Sequence, residues 1–129
     1  NARPLRGMIL QQIIDTYLKG WEQGDGALSL TVTAPRFHYD DPDTGRIMRA
    51  DFVSFVEDFK AAAVAMGGEV DAKPFLRYSD VVIKDDTLPA TVWCWWQAIG
   101  TGLQGCALIK VDASGILHEK IAYFSKLPE

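Results

Sequence analysis

A chain of 129 residues with 48% apolar and 23% charged residues has the composition of one globular domain, able to bury about two thirds of its unfolded surface and too apolar for disorder. The net charge of −4, with no local Lys/Arg cluster to offset it, argues against nucleic acid or an anionic membrane as partner. The longest apolar run, Ala61 to Met66, is far below the roughly 20 residues of a spanning helix, and no basic-then-apolar leader opens the chain. The expectation is one soluble, cytoplasmic domain over residues 1–129.

From Leu5 to Trp21, Leu10, Ile13, Ile14, Tyr17, Leu18 and Trp21 recur at helical spacing, and Pro4 suits a first helical turn. Gly24-Asp25-Gly26 interrupts the pattern, with Asp25 placed to cap a short second helix that ends by Pro35. The segment Arg36 to Pro42 predicts a strand with Phe37, Tyr39 and Asp41 on one face and His38 and Asp40 on the other. A turn at Asp43-Thr44-Gly45 leads to Asp51, placed to cap a third helix carrying Phe52, Phe55, Val56 and Phe59 at i, i+3, i+4 and i+7 and stopping at Gly67-Gly68.

From Glu69 onward, breaks at Lys84-Asp85-Asp86, Gly100-Thr101-Gly102 and Asp112 to Gly115 divide a meander of about four antiparallel strands. Helices first and strands afterwards predict an α+β layer, not a βαβ fold. In the strand Thr91 to Ile99, Trp93 and Trp95 alternate with Val92, Cys94, Trp96 and Ala98, so both faces are apolar. A sheet covered by helices on one side leaves the other face for a second subunit, and a homodimer is expected.

Several short patterns resolve into turns. Gly100 to Gly105 matches a dinucleotide-site glycine pattern, but strand-like Cys106 to Val111 follows where a helix is needed. Asp43-Thr44-Gly45 copies an aspartic-protease tripeptide in a context that reads as a surface turn. His38 and His118 have no ligand spacing, and no metal or cofactor is implied. Cys94 and Cys106 are too few for a disulfide framework and read as reduced residues, although a hairpin could bring them together.

Two residues carry chemistry. Asp41 shares its face with Phe37 and Tyr39, where desolvation would raise a carboxyl pKa and prepare a base; the alternative is a turn cap before Pro42. Tyr17, in the apolar stripe of the first helix, either donates to a developing oxyanion or is a core tyrosine with its hydroxyl at the edge.

Tyr17-Leu18 followed by Gly24-Asp25, then Phe37 to Pro42, the helix from Asp51, and Gly115-Ile116 running to Ala122-Tyr123-Phe124 together resemble the nuclear transport factor two-like superfamily, chiefly its SnoaL-like and ketosteroid isomerase-like branches. The resemblance implies a cone-shaped α+β barrel, with N-terminal helices packed on a strongly bent antiparallel sheet around an apolar pocket. It implies Asp41 as proton-moving base, Tyr17 as oxyanion donor, and a substrate-contacting wall of Tyr39, Phe55, Trp95, Ala107, Ile109, Ala122 and Phe124. Ala107 stands where the second oxyanion-hole acid of ketosteroid isomerase is expected. The function expected is cofactor-independent proton transfer beside the carbonyl of a small apolar ligand, as in an isomerase, cyclase or dehydratase. The alternative is a non-catalytic ligand-binding or dimerisation module of the same fold.

Overall fold

The computed structural model describes residues 8–124. Helix α1 (Leu10–Gln23) starts at Leu10 because Ile9 is extended, with φ −91° and ψ 164°. The expected start at Leu5, with Pro4, falls outside the described residues. Ile13, Ile14, Tyr17, Leu18 and Trp21 are buried along one stripe, and Gly24, left-handed at φ 66°, ends the helix. Asp25 Oδ1 then accepts from Leu28 N at 3.1 Å, capping α2 (Gly26–Leu30) as expected.

The two helices meet at Gly20, where a Cβ would lie 2.0 Å from Ser29 Oγ. Only glycine permits this approach, and it lets Ser29 Oγ donate to the Tyr17 carbonyl at 2.7 Å. The chemistry-bearing turn of α1 is thereby held in register with its neighbour.

Strand β1 (Thr33–Asp41) buries Phe37, Tyr39 and Asp41 and leaves His38 and Asp40 half-buried on the opposite face. It turns through residues 42–44 into β2 (Gly45–Met48), a short strand that the sequence reading lacked. Asp40 and Arg46 clamp this hairpin through two hydrogen bonds of 2.8 and 3.1 Å. A 3-10 turn (Arg49–Asp51) leads into α3 (Phe52–Ala65), and the expected Asp51 cap is absent because its side chain makes no capping bond.

Four long strands follow: β3 (Leu76–Lys84), β4 (Ala90–Ala98), β5 (Gln104–Asp112) and β6 (Gly115–Phe124). The order β2-β1-β6-β5-β4-β3 is antiparallel except where β1 runs parallel to β6. This curled, unclosed sheet makes the cone-like α+β architecture. Period-two alternation then assigns every strand residue to the helix-covered concave face or to the outer one.

On the concave face, Val92, Cys94 and Trp96 of β4 align with Ile109, Ala107 and Gly105 of β5. The outer face carries Trp93, Trp95 and Phe124, with Trp95 edge-on to Trp93 and tilted against Phe124 at centroid distances of 4.9 and 5.1 Å. Cys94 and Cys106 are free, and adjacent rungs send them to opposite faces. The glycines of residues 100–105 make the β4–β5 turn and its first rungs, and Asp43-Thr44-Gly45 is the β1–β2 turn.

The interior is filled with rings. Trp21 contacts Tyr39, Phe52 and Phe59 at centroid distances of 5.5 to 5.6 Å, and Phe59 reaches Trp96 at 5.7 Å. Where an apolar pocket was expected, a cavity of about 10 Å³ remains between α1, α3 and the sheet. That is scarcely the space of one water molecule. The reason is local: this chain places tryptophans at 21 and 96, whose volume closes the cone.

Candidate active site

Tyr17 and Asp41 both face the concave side but take different partners. Tyr17 packs edge-on against Phe37, at a centroid distance of 5.9 Å, four residues before Asp41 on the same strand. Its hydroxyl takes Glu119 while the Asp41 carboxyl takes Tyr123, so the two polar tips expected to reach one cavity are each engaged by another partner.

The carboxyl of Asp41 is saturated at the strand end. Oδ1 accepts from the backbone N–H of Asp43 at 2.7 Å and of Thr44 at 3.0 Å, while Oδ2 accepts from the Tyr123 hydroxyl at 2.5 Å. These are the contacts of a turn-forming aspartate, the alternative reading of this residue. Burial, then the Asp41 carboxyl, holds the Tyr123 phenol above its ordinary pKa.

The Tyr17 hydroxyl instead donates to Oε1 of Glu119, on the concave face of β6. Glu119 is 2% exposed and sits in register with Tyr39 of β1 and Ile109 of β5. Burial lifts its pKa to about 8, against the lowering effect of the Tyr17 hydroxyl and of the nearby Trp21 indole. The protonated form is therefore favoured at neutral pH. A carboxyl so poised can give or take a proton near neutrality.

Its surroundings are phenols and an indole. Tyr17, Tyr39 and Tyr78 all have pKa values well above the ordinary phenol, burial first and the Glu119 charge second, and so remain neutral donors. Trp21 is 2% exposed, and its Nε1–H lies near the carboxyl yet closes no hydrogen bond of normal geometry. Trp21, Tyr39, Tyr78 and Glu119 all line the small cavity. A buried acid and a spare N–H donor thus face the same space.

The remaining expected wall residues divide between the two faces. Tyr39 lines the cavity; Phe55, Ala107 and Ile109 are buried in the core around it. Trp95, Ala122 and Phe124 lie on the outer face, because alternation puts their neighbours Trp96, Ile121 and Tyr123 inside. They are not part of this site.

Ala107 supplies no acid, but its cross-strand partner Ile121 is two residues from Glu119, which brings one in from β6. The signal was present in the sequence: Glu119, Ile121 and Tyr123 alternate on one face, as Phe37, Tyr39 and Asp41 do. On the outer face, His38 and His118 stack with rings 5.1 Å apart and 7° from parallel. Burial, then His38, pushes the His118 pKa down. Among the described residues, no group of three His, Cys, Asp or Glu side chains could hold a metal ion, and no helix is long and apolar enough to cross a membrane.

No family model matches the chain, and no curated protein does. Solved structures match it over nearly its whole length. A SnoaL-like protein of unknown function from Burkholderia thailandensis is 13% identical, with 95% of this chain and 99% of that one covered and a TM-score of 0.62. A ketosteroid isomerase-like protein from Erwinia carotovora atroseptica is 10% identical, with 92% and 95% covered and a TM-score of 0.61. An NTF2-like protein of unknown function from Cytophaga hutchinsonii is 7% identical, with 93% and 95% covered and a TM-score of 0.62. At these identities the likeness is one of fold.

Proposed function

We propose, for a chain with the nuclear transport factor two-like fold, that it moves a proton beside the carbonyl of a small apolar compound, with Glu119 as the proton-transferring group. One observation carries this reading: a fully buried carboxyl with its pKa raised to about 8, held by Tyr17 and facing a cavity beside the unpartnered indole N–H of Trp21. A core built only for stability gains little from a buried acid, because desolvating it costs several kcal/mol whenever it ionises.

The chemistry follows from the donors. The ionised form of Glu119 takes the proton from the carbon next to the carbonyl; the C–H electron pair becomes the enolate, whose oxygen accepts from Trp21 Nε1–H. Returning the proton to a different carbon completes an isomerisation with no net proton change. Tyr17 keeps its proton and orients the carboxyl. Asp41, the base implied by the resemblance, has no part in this scheme.

A cytoplasmic location accompanies this reading, supported by the two free cysteines. The rival reading, a binding or dimerisation module without chemistry, is favoured by the filled interior. Deuterium exchange decides between them. In heavy water, the wild type should accelerate loss of the acidic C–H signal of 2-tetralone, a small apolar ketone, and Glu119→Gln should lower that acceleration at least roughly a hundredfold. No acceleration by the wild type, or full retention in Glu119→Gln, would leave the module.

A further inference from the structure

An acid beside a cavity of about 10 Å³ cannot meet a ketone there unless a wall gives way. A wider concavity lies just outside, a groove of about 950 Å³ between α1 and β3. Its apolar floor includes Ile14 and Leu18 of α1 and Val81 and Ile83 of β3. Asp15 and Glu22 are balanced along its sides by Lys19 and Lys73, so the charges cancel and a neutral ligand is favoured over an ion.

Tyr78 lines both this groove and the small cavity at Glu119. It is the shared wall. The strand that carries it is one able to move: β3 is one of the sheet's two edges, paired only with β4. Its register slips between Ser79 and Val82, and Asp80 is held at φ 52°, a conformation that non-glycine residues seldom adopt. The strand is also largely exposed beyond Tyr78. Edge position, broken register and few buried contacts all lower the cost of local opening.

We propose that the α1–β3 groove binds the neutral apolar carbonyl compound on which Glu119 acts, and that Tyr78 is the wall that swings aside to join groove and acid. The proposal rests on the proton-transfer reading for the identity of the occupant, but not for the groove or the wall. Val81 is 43% exposed, so it can be enlarged without touching the core.

The test uses 6-propionyl-2-dimethylaminonaphthalene, a neutral fluorescent aromatic ketone, as probe, with the Glu119 carboxyl read by carbon-13 NMR. Val81→Trp should fill the groove and weaken probe binding at least tenfold. Tyr78→Ala should admit water to Glu119 and lower its titration midpoint by at least one pH unit; if that variant does not fold, Tyr78→Leu carries the same readout. Probe affinity within twofold of wild type in Val81→Trp, or an unmoved midpoint in the Tyr78 variant, overturns the proposal. An ordinary carboxyl midpoint in the wild type overturns the proton-transfer reading instead, while a tenfold loss in Val81→Trp still assigns the groove.

Discussion

Among the described residues, two carboxyls on one face of the sheet each take a tyrosine hydroxyl, and the two pairs differ in what governs chemistry. At the strand end, Asp41 takes Tyr123 and two backbone N–H groups, and the pair fixes a turn. In the centre, Glu119 has Tyr17 as its one closed side-chain donor, and burial raises its pKa to about 8. Three fixed donors tie the strand-end carboxyl into its turn, whereas the central one is set chiefly by its burial.

The largest expected effect on that comparison is in the pH dependence of stability. Glu119 has a folded pKa above its unfolded one, so the native chain binds a proton that the unfolded chain has released. Its stabilisation is complete below about pH 4.5 and is lost as pH rises through about 8. Over that span the loss is on the order of 5 kcal/mol. Glu119→Gln, which mimics the protonated form, should remove this slope, so the difference between its urea-derived stability and that of the wild type should grow from pH 5 to pH 8. Asp41→Asn should leave the slope in place. Equal slopes in the wild type and Glu119→Gln would make the two carboxyls equivalent and break the comparison.

Removing each phenol sharpens it. Tyr17→Phe leaves Oε1 of Glu119 buried without its donor and should cost roughly 1–3 kcal/mol in denaturant titration. Tyr123→Phe leaves Asp41 its two backbone donors, on a half-buried residue, and should cost roughly 1 kcal/mol or less. A larger loss at Tyr123 would reverse the assignment of anchor and active group.

The smallest expected effect on the chain's own stability comes from the opposite face. Trp95→Lys changes a half-buried outer residue in ring contact with Trp93 and Phe124 and should move the stability of a single chain by about 1 kcal/mol or less. We propose that this aromatic patch joins two copies of the chain through a symmetric contact. Light scattering at micromolar concentration should then show a wild-type dimer and a Trp95→Lys monomer; a monomeric wild type would remove the second copy.

The sequence by itself determined the order of the three helices and of every strand but β2, the breaks at Gly24, Gly67 and Gly100, the burial of Trp21, Phe52, Phe55 and Phe59, and the concave placement of Asp41. These are local quantities, set by periodicity and turn chemistry within about ten residues. The tertiary structure alone decided which carboxyl is buried beside the small cavity. Tyr17 reaches Glu119 across 102 residues, because parallel pairing of β1 with β6 brings Glu119 beside Tyr39. Whether the cone is open was likewise not legible, since the space between layers depends on the summed volume of Trp21, Phe59 and Trp96 meeting from α1, α3 and β4. A period assigns a residue to a face, but only packing sets its distance from a partner and from water, and those distances control both proton affinity and access.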